Sequence, residues 1–143
     1  MKRFIVPAVA LAAGVGGCGG AETQTLQLKG GKEPRVQFRA PAMIKGHPLK
    51  GRAWSSNQPI SGDRTGEYVR TCMPLPTDDI ECNGAFLLGD GDVEVELTEE
   101  ANPSDPASDG AIIGGTRAYA GAVGSYQVDW KKNTYTLKFK LLK

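Results

Sequence analysis

The chain is poor in the side chains that carry most enzyme chemistry. Its 143 residues include one histidine, His47, and three cysteines. A Ser-His-Asp triad would have to use that one imidazole, which lies in a Gly/Pro-rich loop, and no G-x-S-x-G elbow presents a nucleophile. Zinc needs clustered His and Cys ligands that the chain lacks. The acids of residues 99–110 miss the D-x-[DN]-x-[DN]-G spacing of a calcium loop and lie next to prolines, which leaves a solvated loop. No metal or cofactor is expected. A phosphate cradle is missing as well, because neither G-x-G-x-x-G nor G-K-[ST] occurs. Charge of one sign is also scarce: 17 basic residues face 16 acidic ones. That balance leaves no basic excess to condense on nucleic acid. A helical period is absent after residue 17.

The one long apolar run lies at the start. Met1-Lys2-Arg3 is a basic n-region, and Phe4 to Val15 is an apolar stretch too short for a comfortable membrane span. Together they read as an export signal. Val15-Gly16-Gly17-Cys18 resembles a bacterial lipobox, which makes residues 1–17 the removed signal and Cys18 the lipid-modified first residue. The expectation is an exported protein held at a membrane by that lipid. Loss of Lys2 and Arg3 leaves 15 basic against 16 acidic residues, a charge near −1. Cys72 and Cys82 then remain in an oxidising compartment, bracketing a loop with two prolines and two adjacent aspartates. They are read as a disulfide at the base of a hairpin, contributing roughly 2–3 kcal/mol in the chain-entropy description.

Residues 18–33 are small and polar apart from Leu26 and Leu28, and read as the lipidated N-terminus and a flexible tether to a domain over 34–143. Arg35 to Ala40 alternates, with Val36, Phe38 and Ala40 inward. Leu49 to Ser56 is a second strand carrying Trp54, and Asn57 to Asp63 a turn, because of Pro59 and Gly62. Thr65 to Met73 puts Tyr68, Arg70 and Cys72 on one face. Glu81 to Leu88 does the same for Cys82, Gly84, Phe86 and Leu88. Asp90-Gly91 is a hairpin signal leading into Asp92 to Thr98, where Val93, Val95 and Leu97 point in and Glu94 and Glu96 point out. Ala111 to Ile113, Gly124 to Lys131 and Thr134 to Leu142 complete about eight strands. In the last, Tyr135, Leu137, Phe139 and Leu141 face inward and the lysines outward. The pattern is all-β and fits an antiparallel barrel or a sandwich equally well.

Between the last strands lies Gly114-Gly115-Thr116-Arg117-Ala118-Tyr119-Ala120-Gly121-Ala122-Val123-Gly124. Four glycines in eleven residues suit a turn or bulge that bends strands shut. This segment, with Ala111-Ile112-Ile113 before it and two strands after it, resembles the allene oxide cyclase and dirigent superfamily. The resemblance is good over about 62–142, weaker over 34–61 and absent earlier. It implies a closed, calycin-like, eight-stranded antiparallel β-barrel whose interior is filled by side chains or holds one small ligand. It also implies an apolar small-molecule partner, a cyclase or isomerase chemistry, and a homotrimer. Arg117 stands where the family usually has Gly. Val123 stands where dirigent-like members usually have an Arg associated with their chemistry, so dirigent activity itself does not carry over.

Chemistry in such a barrel would rest on proximity and orientation. The polar candidates are Tyr68 and Arg70 on the third strand and Arg117 and Tyr119 at the barrel end. The ligand-facing candidates are Phe38, Phe86, Trp130, Tyr135 and Phe139. Three functions follow from the same pattern. They are a cyclase or isomerase, a lipocalin-like carrier, and an interaction domain whose own aromatics plug the barrel.

Overall fold

Leu26 and Leu28 alternate with Gln27 and Lys29, and in the computed structural model that short pattern forms a strand with both leucines buried. The structure describes residues 21–33, 35–37, 43–44, 47–48, 51–100 and 106–142. Eight strands carry the fold. They are β1 (Gln24–Gly30), β2 (Trp54–Gly62), β3 (Gly66–Pro74), β4 (Asp79–Leu88), β5 (Gly91–Glu100), β6 (Ala107–Gly115), β7 (Ala122–Asp129) and β8 (Thr134–Leu141). Each pairs antiparallel with its neighbour from β2 to β8. β1 then pairs with β8 on one side, with Gln24 opposite Phe139, and with β2 on the other, with Gly30 opposite Ile60. The sheet has no free end: it is a closed eight-stranded antiparallel barrel.

The segment expected as a tether therefore contains the strand that closes the barrel. Two buried leucines and two ladders of backbone hydrogen bonds outweigh the polar composition of residues 24–30. Asn57 to Asp63, expected as a turn, is instead the continuation of β2, with Gln58 and Ile60 buried. Pro59 is tolerated because its nitrogen faces the same side as its carbonyl, which accepts Gly31 N–H at 2.8 Å where the neighbouring strand is bulged. Val36 was expected inward, yet it is 62% exposed on the short strand Arg35–Gln37 that extends the edge of β2. The expected loop over 99–110 is shorter at both ends, since β5 runs to Glu100 and β6 starts at Ala107. Phe38, Cys18 and the proposed signal 1–17 lie outside the described residues.

Elsewhere the alternation holds. Tyr68, Arg70 and Cys72 of β3, Cys82, Phe86 and Leu88 of β4, Val93, Val95 and Leu97 of β5, and Tyr135, Leu137 and Phe139 of β8 are all buried. Cys72 and Cys82 sit directly opposite each other on β3 and β4 and form a disulfide. In the glycine segment, Gly114 and Gly115 still belong to β6, Arg117–Tyr119 is a single 3₁₀ turn, and Gly121 takes φ +74° beside the Leu142 backbone. Ile113 is the extra residue of a bulge where β6 passes Glu94 and Val95 of β5, so Ile112 is buried and Ile113 exposed. The segment bends the sheet at one end of the barrel, which is called the floor below. The opposite end, the mouth, carries the start of β2, the β3–β4 hairpin and the end of β7.

Candidate functional site

The polar chemistry gathers inside the mouth, around Arg70. Alternation sends its side chain inward from β3, where only 4% of it reaches solvent. A guanidinium cannot give up its charge on burial, so it needs partners. Glu33 supplies the carboxylate. Arg70 Nη2 donates to Glu33 Oε1 at 2.9 Å and Nε donates to the same oxygen at 3.2 Å. Ser56 Oγ also donates to Glu33 Oε1, and it accepts from Arg70 Nε at 3.3 Å. The rings of Trp54 and Trp130 lie 4.9 and 4.5 Å from the guanidinium carbon, a doubled cation–π arrangement.

Glu33 reaches this position because of a bulge. From Gly30 to Arg35 the chain advances five residues while its partner β2 advances four, from Ile60 to Ser56. One extra residue therefore loops out and re-aims the glutamate into the barrel. The bulge is held by Asn133, whose Nδ2 donates to the Gly31 carbonyl at 3.0 Å and to Gln58 Oε1 at 3.2 Å. Gln58 in turn donates to the Tyr135 hydroxyl, which donates to Asn133 Oδ1 at 3.2 Å. Trp130 is fixed independently. Its Nε1 donates to Glu99 Oε2 and to Ser108 Oγ, both at 3.0 Å.

Below this layer the interior is aromatic. Tyr68 stacks on Phe86 at 4.3 Å, and Tyr135 meets both rings edge-on at 5.2 and 5.4 Å. Tyr126 enters from β7 and packs against Phe86 at 6.2 Å. A side chain on Gly110 would collide with the Tyr126 ring, so that glycine makes room for it. Burial pushes the Tyr68, Tyr126 and Tyr135 phenols up, so all three stay protonated; Arg70 pulls each of them back only partly. Among the described residues, two buried polar atoms have no hydrogen-bond partner, Arg70 Nη1 and the Tyr126 hydroxyl. The Tyr68 hydroxyl lies near enough to raise the Tyr126 phenol further.

Trp54 also lines an outward cleft of about 260 Å³ at the mouth, together with Pro74, Leu75 and Ile80 and a rim of Arg52, Asp78 and Asp79. A larger groove of about 630 Å³ lies on the outer wall, where Val36, Val69, Ala85 and Ile113 are among its lining residues. Among the described residues, no group of His, Cys, Asp and Glu is arranged to hold a metal.

The sequence candidates divide between the two ends. Tyr68, Arg70, Phe86, Trp130 and Tyr135 come together at and under the mouth. Phe139 lies toward the floor against Tyr119, 5.7 Å between rings. Tyr119 donates to Asp90 Oδ1 at 2.8 Å, and Arg64 donates to the other oxygen of Asp90 at 2.9 Å. Arg117 is exposed at the floor, away from Arg70. Glu33, Ser56 and Gln58 are additions to the candidates, and so is Tyr126, which alternation places on one face with Val128 and Trp130. Tyr126 and Gln58 could have been found as inward positions of their strands, whereas Glu33 depends on a bulge that leaves no local mark.

No family model and no curated protein matches the chain. Among solved structures, the barrel superposes on a pyocyanin demethylase with a TM-score of 0.60. The match is 22% identical and covers 83% of this chain and all of that one. At that identity the two share a barrel fold.

Proposed function

We propose that this chain is a small-molecule-binding barrel that takes a flat, largely apolar molecule at its mouth. The observation that carries this reading is the double use of Trp54. One indole lines an apolar cleft and also covers a buried Arg70–Glu33 pair. Apolar walls with a few fixed polar groups are the usual make-up of a ligand site. The solved structure with the same fold is a pyocyanin demethylase, whose name points to a small-molecule substrate and supports the same class of partner. The family resemblance adds cyclisation or isomerisation, driven by holding one conformation of the bound molecule.

Native mass spectrometry of the full chain, after incubation with an apolar extract of its producing cells, tests this. A stoichiometric bound mass is expected. Release with unchanged formula and altered retention supports isomerisation, and release unaltered supports carriage. Absence of any bound species across several extracts refutes the reading. That outcome favours a barrel plugged by Phe86, Tyr126, Tyr135 and Phe139, which the packing of those rings also supports.

Export and lipid anchoring belong to the same proposal. They are supported by Met1 to Cys18 and by a disulfide suited to an oxidising compartment. Replacing Cys18 with Ala is expected to release the protein from membranes; retention would refute it. The trimer implied by the resemblance is checked by sedimentation.

A further inference from the structure

The outside of the barrel is charged differently on its two sides. A strand turns every second side chain outward, so each strand's register gives its share of the outer wall. The outward positions of β1 and β8 hold Lys29, Lys138 and Lys140, all exposed, with Gln and Thr between them and no acid. The outward positions of β3, β4 and β5 hold Glu67, Glu81, Asp92, Glu94 and Glu96 and no base. β8 and β4 are four strands apart in a ring of eight, so the two walls lie back to back. Three acids border the basic wall. Asp129 is paired with Lys132 at 2.9 Å, Asp63 accepts from the Gln27 amide at 2.8 Å, and Glu22 precedes β1. Lys32, just after β1, and Lys131 and Lys132, in the turn before β8, offset them, so the wall stays positive. Beside Lys140 the surface is also apolar: Val123, opposite it on β7, is 37% exposed, and Leu142, just after β8, is 59% exposed.

We infer that the β1–β8 wall lies on an anionic lipid surface, with the β3–β5 wall turned away from it. The inference rests on the export and lipid anchoring proposed above. Two observations choose a membrane as the occupant. One is charge complementarity, since lysines without acids among them suit phosphate headgroups. The other is where the chain enters the barrel. Gln24, the first residue of β1, follows Cys18 by six residues, at most about 20 Å of extended chain. A lipid at Cys18 therefore holds β1, and β8 beside it, within reach of the headgroups. The attraction fades within a screening length of about 10 Å at 0.1 M salt. The acids across the barrel are thus repelled weakly when β1 and β8 face the membrane, and strongly in the opposite orientation. Val123 and Leu142 supply apolar side chains for the boundary between headgroups and acyl chains.

The test reconstitutes the full-length protein in phosphatidylcholine vesicles, with or without about one-third phosphatidylglycerol. A thiol-linked fluorophore is placed by Ser125→Cys, beside Lys138, or by Asn83→Cys on β4, and brominated lipid is the quencher. With phosphatidylglycerol present, the probe at position 125 should be quenched and the probe at position 83 should not. Lys138→Gln with Lys140→Gln should weaken the docking equilibrium about fivefold for each lysine, the worth of one basic residue near an anionic surface, with near-UV circular dichroism unchanged. Glu81→Gln with Glu94→Gln shifts the net charge by the same amount in the other direction, on the far wall, and should leave quenching at 125 as it was. Equal quenching at both positions, or quenching at 125 that survives the lysine pair, overturns the inference. Shielding of position 125 without lipid, lost in the glutamate pair, would place the acidic wall of a second copy there and overturns it too. Flotation with pure phosphatidylcholine reads the anchor separately. A chain that fails to float there but floats with phosphatidylglycerol overturns the lipid and keeps the basic wall, and a chain that floats with neither overturns both.

Discussion

Removing the carboxylate of Glu33 is expected to destabilise the whole barrel, although this residue precedes most of the chain that folds around it. Arg70 keeps 4% of its side-chain surface and Glu33 keeps 23%. Breaking a fully buried pair by deleting one partner costs about 3–5 kcal/mol, because the other charge stays in low dielectric. Here Glu33 retains some water, which moves the figure down, to about 2–3 kcal/mol for Glu33→Ala. Glu33→Gln keeps an acceptor for Arg70 and Ser56 and loses only the charge, so about 1–2 kcal/mol is expected. Removing both charges should recover part of the loss. In a cycle with Arg70→Met, a coupling of at least about 1.5 kcal/mol is expected. Urea unfolding without reductant, followed by tryptophan fluorescence and far-UV circular dichroism, measures all four proteins. Trp54 and Trp130 flank the guanidinium, so their emission should also shift in the folded state. A cost below about 0.5 kcal/mol for Glu33→Ala, or strict additivity in the cycle, would refute the claim that this pair is buried and mutually dependent.

Three further outcomes follow from particular residues. Arg117 holds φ +49°, a left-handed conformation costly for a residue with Cβ, so Arg117→Gly should raise stability by about 0.5–1 kcal/mol in the same assay, and a loss would contradict it. The Asp90 carboxyl is held below the usual aspartate range, first by the Tyr119 hydroxyl and then by Arg64. A depressed carboxyl stabilises above its unfolded value near 4 (about 3.9) and loses that contribution as pH falls through the folded value. The stability gap between wild type and Tyr119→Phe should therefore narrow as pH drops below about 4, and a gap independent of pH would refute the linkage. A chain starting at Gly31 lacks β1 and the buried leucines 26 and 28, worth about 1.5–3 kcal/mol each, and should lose near-UV circular dichroism and aggregate. A soluble, folded monomer would show that closure by β1 is dispensable.

Strand alternation made most of the barrel legible. Val93, Val95 and Leu97, or Tyr135, Leu137 and Phe139, keep to one face in a strand, and β3, β4, β5, β7 and β8 follow from such runs, whereas β6 was legible only over 111–113. The glycine segment was readable as a bend because its conformational needs are local. The misses have one physical source, interactions set by distant partners. Leu26 and Leu28 were visible as a weak alternation, but what makes them a strand is β8, more than 100 residues away. Pro59 argued for a turn because its harmlessness depends on a bulge across the sheet. Arg70 was a candidate from its own strand, whereas Glu33 was hidden in a polar stretch with nothing local to distinguish it. Arg117 and Tyr119 stood out by sequence context, yet they belong to the opposite end of the barrel from Arg70.

The pairing of Gln24 with Phe139 has a consequence for how the protein comes into being. A chain emerging from its N-terminus presents β1 first, and the edge that β1 needs is the last one made. Until Thr134 to Leu141 is available, both β1 and β7 carry unpaired backbone groups, the kind of edge on which other chains add. Most of the contacts join residues distant in sequence, an order that slows folding. A nascent molecule thus spends its whole synthesis with an open seam. The same closure sets β1 beside β8, so a circular permutant that links the two would turn the seam into a local hairpin.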